Sequence, residues 1–483
     1  MNEMLCFLNS HPEIRNIVLL VGKDYTYDNL KQILKNINVD KVILVSFFSK
    51  EKVEEIHMHL EHEKVMNDIK VPTIVEYIDI CEFKGLDGKW ALCAEWIEPQ
   101  YLLKVKKWKP TCLLGDIWED YVTAFKIWES YKEHTEHILI KTRRIGKAPQ
   151  ILEWNKNEEN SVELSVIFPM YNVEKYLDQC ISSVTEWKAP YVEFLFVNDG
   201  SPDNSREIVL KWARQDSRVK LLDKPNGGCA SARQYGLDKA RGKYIGFIDP
   251  DDYIDESMFR KLLRGAMTGS YDISYCGYNE YYENTKEIRR VEDTLDIPYC
   301  DGTSDPGKIM DLVAYCRVAI WRGIYKAEML KNNNIHFYTD LRRFDDLPFK
   351  VETFAAAKSV IAVSEYLYYY RLARPGQDVS ANDERLYVHF DIFKYLNESI
   401  AGQKNAVLTD HLQMCKIQTH LYAIKKIKPE LREYYLKHAK EDLETTGTLN
   451  RTYKLAKSRI GQENADYYKA IMNENVAIFN KSN

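Results

Sequence analysis

Three carboxylates directly after an apolar run constrain the fold of this chain most. The run Tyr244-Ile245-Gly246-Phe247-Ile248 is followed by Asp249, Pro250, Asp251 and Asp252. Such a run is typical of a buried parallel strand, and ligands of open α/β sheets bind beyond the carboxyl ends of these strands. Because crowded carboxylates repel each other unless a cation neutralises them, we expect a site here for a divalent metal and a diphosphate.

The residues before this run alternate between strand-like and helix-like patterns. Strands are predicted at 164–172, 192–197, 219–222 and 244–248, with helices at about 174–186 and 204–215 and a further helix that carries Arg233. Parallel strands end at the same edge of a sheet. The sequence therefore predicts that Asn172, Asp199, Asn226 and Asp249–Asp252 meet at one edge.

Composition limits the class of protein. The 483 residues predict two or three domains, and a net charge of -5 gives no reason to expect nucleic acid as a partner. Ten cysteines without a C-x-x-C pair argue against a zinc site and fit reduced thiols in a cytoplasmic protein. With no basic signal region at Met1 and no apolar segment of about 18–20 residues, membrane contact is expected to be peripheral at most.

The first 151 residues predict a Rossmann-like α/β domain of their own. Strands are predicted at 16–22, 41–46, 71–77, 111–115 and 137–140. Residues 152–161 are predicted to form a linker. The loop Gly22-Lys23-Asp24 lacks a glycine-rich phosphate pattern, and His57, His59 and His62 fit a solvated helix surface better than a metal site. This domain is either a scaffolding module or a second transferase site, and the lack of a motif favours the first.

Four motifs in the middle of the chain resemble the family 2 glycosyltransferases. They are Ser-Val-Ile-Phe-Pro-Met-Tyr-Asn at 165–172, Val-Asn-Asp-Gly-Ser at 197–201, Asn-Gly-Gly at 226–228 followed by Arg233, and Phe-Ile-Asp-Pro-Asp-Asp at 247–252. The resemblance covers about 165–385. It implies a glycosyltransferase-A catalytic domain at 162–384, and the chain turns helical over a C-terminal region at 385–483.

The resemblance implies roles on the donor side of the site. Pro169, Tyr171 and Asn172 would line the nucleotide pocket, Asp199 would accept a hydrogen bond from the base with Arg233 nearby, Asp249 would contact the ribose or the metal, and Asp251 would bind Mn²⁺ or Mg²⁺. For Asp199 the alternative is a turn that caps the next helix, because Asp-Gly-Ser favours turns in any protein.

The resemblance also implies a general base. Arg343-Phe344-Asp345-Asp346-Leu347-Pro348-Phe349 resembles the family's Glu-Asp-Leu-x-Phe motif, with Asp345 in place of glutamate. Asp346 is the expected base on the acceptor hydroxyl, and Asp345 is the alternate. Acids favoured by the dipole of a helix N-terminus are the other interpretation.

Three further residues are candidates by position. Arg371 falls in a segment that resembles the family's Tyr-Arg segment, and Arg374 falls in the loop that follows and is placed to close over the diphosphate; both would stabilise the leaving group, and both could equally be surface arginines. Trp321 falls at the acceptor wall, and core packing is its alternative.

The function implied is an inverting, metal-dependent glycosyltransferase. It would move a sugar from a nucleoside diphosphate sugar, with UDP favoured, to a hydroxyl of a glycan or lipid-linked glycan in bacterial-type surface polysaccharide synthesis. The alternatives are a catalytically silent carbohydrate- or partner-binding subunit, and a sugar nucleotidyltransferase, which would need a glycine-rich basic loop after 164–168. The C-terminal helices, with Lys425–Lys428, would pack on the catalytic domain, on a second subunit of a homo-oligomer or on the inner face of the membrane.

Overall fold

The computed structural model of the chain contains two compact units, Met1–Ser161 and Val162–Asn483. The structure describes residues 7–21, 41–46, 75–79, 86, 89–95, 102–103, 105–117, 121–132, 134–142, 150–155, 162–292, 302–315, 317–341, 343–373, 381–400, 406–444 and 449–480. The loop at 22–24, the three histidines at 57, 59 and 62, and Arg374 lie outside these residues.

The first unit contains a seven-stranded sheet. Its strands are β1 (Asn16–Val21), β2 (Lys41–Ser46), β3 (Val75–Asp79), β4 (Trp90–Glu95), β5 (Cys112–Ile117), β6 (His137–Thr142) and β7 (Gln150–Asn155). Their order is β3-β2-β1-β4-β5-β6-β7, and only the β6–β7 pair is antiparallel. Helix α1 (Tyr121–Tyr131) connects β5 to β6. The predicted α/β architecture with a largely parallel sheet is confirmed.

Two details of this unit differ from the sequence prediction. The linker prediction is wrong for 152–155, because β7 pairs there with β6, with Leu152 opposite Ile140 and Trp154 opposite Ile138. These two apolar residues alternate with polar ones, which is the period of a strand. Strand β4 was missed, because its short run with small residues becomes a strand only between β1 and β5.

The second unit is built on a nine-stranded mixed sheet. Its strands are β8 (Leu164–Met170), β9 (Val192–Asn198), β10 (Val219–Asp223), β11 (Tyr244–Phe247), β12 (Tyr253–Ile254), β13 (Ile273–Tyr282), β14 (Glu287–Arg290), β15 (Gly323–Lys326) and β16 (Val360–Leu372). The order is β10-β9-β8-β11-β15-β13-β16-β12, with β14 on β13. The first four are parallel to one another, as predicted, while β15 is antiparallel to both its neighbours.

Thirteen helices are described in this unit. They are α2 (Glu174–Thr185), α3 (Ser205–Ala213), α4 (Cys229–Lys239), α5 (Met258–Met267), α6 (Pro306–Tyr315), α7 (Ala327–Asn332), α8 (Asp346–Ala356), α9 (Val388–Ile400), α10 (Ala406–Lys426), α11 (Pro429–Glu444), α12 (Leu449–Arg459), α13 (Gln462–Met472) and α14 (Val476–Asn480). Short 3-10 turns lie at Ile320–Arg322 and Glu384–Tyr387. Within the described ranges, no helix combines the length and apolarity needed to cross a bilayer.

Strand β8 extends beyond one of its two neighbours at its carboxyl end. All seven residues of β8 are buried between β9 and β11, which suits its apolar composition. Pairing with β11 ends at Ile167, whereas pairing with β9 continues to Met170. Pro169, which lacks a backbone N–H, therefore lies where one neighbour has already ended.

The C-terminal helices share a core with the sheet. Ile392, Phe393 and Leu396 of α9 and Leu412 of α10 belong to the same buried apolar cluster as Val360 of β16. The predicted change near 385 is therefore a change of secondary structure without a break in the hydrophobic core.

Candidate active site

The carboxyl ends of the parallel strands bring the sequence motifs together. Tyr171 and Asn172 follow β8, and both are exposed. Asn172 has a left-handed φ of 55°, a conformation that asparagine tolerates, and its N–H donates to Ser201 Oγ (3.1 Å) after β9. The loops after β8 and β9 are thus joined by a hydrogen bond at this edge.

Asp199 holds the loop that follows β10. Its buried carboxylate accepts hydrogen bonds from the N–H groups of Gly227 (2.9 Å) and Gly228 (2.8 Å) and from Lys224 Nζ (2.5 Å). Gly228 has a φ of 91°, in the region that favours glycine. At the start of α3 the Ser205 N–H donates to Asp203 Oδ1 (3.2 Å), so Asp203 and not Asp199 accepts from the first residue of the next helix. The structure therefore shows a different structural role from the helix cap weighed above, and the base contact stays a prediction.

Asp252 is the buried anchor of the acid cluster. It accepts hydrogen bonds from the Tyr368 hydroxyl (2.7 Å) and from the Arg371 N–H (2.7 Å). Burial, together with the charges of Asp251 and Asp249, raises the pKa of Asp252 well above its ordinary value. The Tyr368 hydroxyl also accepts the Asp249 N–H (3.3 Å), so a single tyrosine fixes both ends of the cluster.

Arg233 joins the acid cluster to the predicted catalytic motif. Its guanidinium bonds to Asp249 Oδ1 (2.6 Å) and to Asp345 Oδ2 (2.8 Å), and the residue is 4% exposed. The sequence predicted Arg233 near Asp199. The structure instead gives it two carboxylate partners, Asp249 from the end of β11 and Asp345 just before α8.

The two aspartates before and at the start of α8 have different surroundings. Asp345 is buried and bound to Arg233, whereas Asp346, the first residue of α8, is partly exposed. The protein environment raises the pKa of Asp346 to about 7, mainly through desolvation and then through the charge of Asp345, with Arg233 opposing the rise. A partly exposed carboxylate with a pKa near neutrality has the properties of a general base.

Arg371 needs a correction. The residue lies within β16 and is 2% exposed, so the alternative of an ordinary surface arginine is wrong. Its guanidinium donates to the Asp251 carbonyl (2.6 Å), to Gln179 Oε1 (2.7 Å) and to Glu283. Arg371 therefore holds the backbone of the acid cluster, and the diphosphate role expected for it does not fit this position.

Trp321 lies behind the acid cluster. Its ring stacks on Tyr368 with ring centroids 4.0 Å apart and on Tyr370 at 5.4 Å, and the residue is 5% exposed. This placement favours the packing interpretation over direct acceptor contact.

The sequence analysis missed two residues that hold the site. Lys224 contacts Asp199, and Tyr368 links Asp249 to Asp252. Lys224 directly precedes the Pro-Asn-Gly-Gly turn, and this position beside a predicted site loop could have marked it as a site residue. Tyr368 sits in a row of three tyrosines, where nothing local distinguishes it from its neighbours.

The donor set fits a hard divalent cation. Among the described residues no three metal-ligating side chains already surround a common point. Mg²⁺-type ions, however, are commonly held by one or two carboxylates together with substrate phosphates. The carboxylate crowding that raises the pKa of Asp252 is the environment that a bound cation would relieve, and Asp249 and Asp251 could supply the ligands.

Comparison with known proteins agrees with this geometry. The family model described as Glycosyl transferase family 2 matches residues 165–361. Uncharacterized glycosyltransferase EpsJ of Bacillus subtilis is 35% identical over 219 residues, which are 43% of this chain and 60% of EpsJ. Glycosyltransferase GlyG of Streptococcus pneumoniae is 30% identical over 218 residues, which are 43% of this chain and 70% of GlyG. The chain belongs to glycosyl transferase family 2.

The family 2 domain also has a similar solved structure. Staphylococcus aureus TarS 1-349, crystallised with UDP-GlcNAc, superposes with a TM-score of 0.53 at 20% identity, over 65% of this chain and 91% of that chain. At this identity the likeness concerns the fold alone. It confirms the predicted glycosyltransferase-A architecture.

Proposed function

We propose that this chain transfers a sugar from a UDP-sugar to a hydroxyl group of a glycan acceptor, with inversion at the anomeric carbon. The observation that carries the proposal is the difference in surroundings between two adjacent carboxylates, Asp345 and Asp346. Arg233 binds Asp345, while Asp346 is left partly exposed with a pKa of about 7. Asp346 is therefore assigned as the general base.

The transfer step balances as a single displacement. The acceptor O–H loses its proton to the Asp346 carboxylate as its oxygen bonds to the anomeric carbon, and the bond from that carbon to the diphosphate oxygen breaks with its electron pair on UDP. A Mn²⁺ or Mg²⁺ ion on Asp251 and Asp249 would stabilise this leaving charge as a Lewis acid. Asp199 and the loop at 226–228 are assigned to contact the nucleotide base of the donor. Pro169, Tyr171 and Asn172 are assigned to the same nucleotide pocket.

The relatives support a role in surface polysaccharide assembly. TarS of Staphylococcus aureus is named a poly(ribitol-phosphate) beta-N-acetylglucosaminyltransferase, and the TarS structure contains UDP-GlcNAc. By analogy, the acceptor of this chain is a glycan or lipid-linked glycan of a bacterial surface polymer. The enzyme is assigned to the cytoplasm, peripheral to the inner face of the membrane.

Nucleotide release tests the proposal. The purified full chain with Mn²⁺ is expected to release UDP from at least one of UDP-GlcNAc, UDP-glucose and UDP-galactose, with water taking the place of the acceptor hydroxyl and the free sugar as the second product, and EDTA is expected to stop the release. Asp251→Ala should abolish release while leaving thermal unfolding unchanged. Equal release by the Asp251→Ala protein would contradict the metal assignment, and no release from any UDP-sugar by the wild type would contradict the proposed function.

A further inference from the structure

Strand β16 divides its side chains between the two faces of the sheet. Successive residues of a strand point to opposite faces, so Tyr370 shares a face with Tyr368. Tyr369 and Arg371 lie on the other face. The Tyr368 hydroxyl bonds to Asp252 at 2.7 Å, which marks the first face as the face of the acid cluster. Tyr370 is therefore on the active-site side of β16, two residues beyond Tyr368.

The indole of Trp321 fixes the direction of the Tyr370 ring. Its plane makes an angle of 23° with the ring of Tyr368 and of 20° with the ring of Tyr370, so it packs nearly parallel to both. A phenol stacked in this way keeps one rotamer, and its hydroxyl keeps one direction from the strand. A group that is already oriented loses little freedom when a ligand binds to it.

The hydroxyl of Tyr370 is unused. The Tyr368 hydroxyl is buried and bonded to the acid cluster, whereas Tyr370 is partly exposed and its hydroxyl is accessible and bonds to no described residue. Glu280, which lies opposite Tyr370 on β13, is bonded instead to Arg317 at 3.1 Å and to the Tyr282 hydroxyl at 3.0 Å. Tyrosine hydroxyls at packed positions usually have a partner. An oriented, accessible and unused hydroxyl on the active-site face is a candidate contact for the substrate.

The charges around this hydroxyl place it between the two halves of the site. Burial, followed by the charges of Asp252, Asp249, Asp251 and Asp346, raises the pKa of Tyr370. The phenol therefore keeps its proton and can donate it in a hydrogen bond. Since Tyr370 feels both the acid cluster and Asp346, it lies near the space between them, where the bond to the leaving diphosphate would break.

We propose that the Tyr370 hydroxyl donates a hydrogen bond to a diphosphate oxygen of the sugar donor. The proposal rests on the proposed function in one respect, namely that the donor is a UDP-sugar. The guanidinium of Arg371, the next residue, already holds the Asp251 carbonyl, so this arginine does not supply the contact. A donor aimed at an oxygen that gains negative charge stabilises the transition state more than the bound substrate.

Nucleotide binding tests the contact without any turnover. The full chain with Mn²⁺ is titrated with UDP and with uridine by isothermal titration calorimetry. Tyr370→Phe removes the hydroxyl and keeps the ring on Trp321, and it should weaken UDP binding by about tenfold, the effect of losing one hydrogen bond to a charged group. Uridine has no phosphate, so its affinity should be the same in both proteins.

Two further variants decide the interpretation. Tyr369→Phe is the matched control, because the Tyr369 ring stacks on Tyr253 at 4.6 Å on the other face, and it should bind UDP like the wild type. Tyr370→Leu removes the ring as well and should bind UDP no better than Tyr370→Phe. Thermal unfolding checks that each variant is folded. The proposal is overturned if Tyr370→Phe binds UDP as tightly as the wild type, if only Tyr370→Leu weakens UDP binding, or if uridine binding falls by the same factor.

The Tyr370 contact and the transferase activity are tested separately. A wild-type protein that binds UDP through Tyr370 and releases no UDP from any UDP-sugar would contradict the proposed function alone. Release of UDP by the wild type, together with equal UDP affinity in Tyr370→Phe, would contradict the Tyr370 contact alone. A wild-type protein that neither binds UDP nor releases it would contradict both.

Discussion

Asp345 and Asp346 are adjacent in the chain, yet their surroundings differ. Asp345 is buried and bonded to Arg233 at 2.8 Å, so its charge is already matched. Asp346 is partly exposed, and desolvation and the charge of Asp345 raise its pKa to about 7. Removing one partner of a buried ion pair strongly destabilises the folded protein, because the other charge is left buried without a partner. Replacing a partly exposed carboxylate costs much less stability. The two positions should therefore respond differently to the same substitution.

Asparagine at each position gives the first prediction. Asp346→Asn should lower kcat by roughly 10²–10⁴-fold with little change in thermal unfolding, because it removes the proposed base and keeps the shape of the side chain. Asp345→Asn should lower the unfolding temperature as well, because Arg233 loses a buried partner. Steady-state kinetics and thermal unfolding of both proteins provide the measurement. Full activity in Asp346→Asn would move the base elsewhere.

The pH profile gives the second prediction. A base must be deprotonated to accept the acceptor proton, so kcat/KM should fall as the pH drops below about 7, by roughly tenfold per pH unit. Asp346→Glu should keep an acid limb, because it retains a carboxylate. A wild-type profile that stays flat from about pH 8 to about pH 5 would exclude Asp346 as the titrating group.

At the scale of elements, helix α4 carries the arginine that organises the site. Gly236 lies on the buried side of α4, and a Cβ added there would meet Ile167 Cγ2 of β8 at 2.5 Å and Val197 Cγ2 of β9 at 3.1 Å. The missing side chain allows α4 to pack closely on the strands that end at the site. Arg233 is one turn earlier on the same helix, so the depth of α4 sets where its guanidinium lies.

Gly236→Ala is therefore the third prediction. Alanine usually stabilises a helix by about 1 kcal/mol over glycine, but the overlap with β8 should outweigh this gain, since overpacking costs about 1–3 kcal/mol. We expect a net loss of stability in urea unfolding and a lower kcat, as Arg233 shifts. Lys239→Ala, at an exposed position of the same helix, is the control and should unfold like the wild type. A stabilised Gly236→Ala protein would contradict the close packing.

Sequence patterns predicted what is local in these elements. Apolar runs and glycine-rich or aspartate-rich loops predicted the four parallel strands and their turns. The alternation of Leu152 and Trp154 with polar residues is also local, and it indicates the strand found there. The partners of Arg371 were not accessible in this way. Gln179 is 192 residues away and Asp251 is 120 residues away, so only the folded sheet decides that this arginine is buried. The same holds for Arg233, whose bond to Asp345 spans 112 residues.

At the scale of the molecule, the C-terminal helices contain a buried polar network. The Tyr435 hydroxyl lies 3.1 Å from Nδ1 of both His389 and His420, and His420 Nε2 lies 2.9 Å from Asp442 Oδ2. Lys416 Nζ donates to the other oxygen of Asp442 at 2.7 Å. Burial, and then the charge of His420, lowers the pKa of His389 to about 3. The network therefore ties α9, α10 and α11 together with His389 uncharged.

Acid destabilisation is the fourth prediction. The unfolded chain binds a proton at His389 below about pH 6.5, whereas the folded chain does so only near pH 3, so stability falls as the pH drops between these values. From about pH 7 to about pH 5, His389 alone should remove about 2 kcal/mol from the free energy of unfolding. Urea unfolding at both pH values measures this, and His389→Phe should show a loss smaller by about that amount. Equal pH dependence in the two proteins would mean that His389 is accessible to protons when folded.

The bond between Arg233 and Asp345 has a consequence for biosynthesis. A contact between residues 112 positions apart closes only after the intervening chain has been made, and such long-range closure comes late in folding. Until Asp345 has left the ribosome, the partly made domain lacks one of the two carboxylates that neutralise a guanidinium destined for burial. A nascent chain that ends before Asp345 therefore lacks both the Asp345 carboxylate that pairs with Arg233 and the proposed general base Asp346.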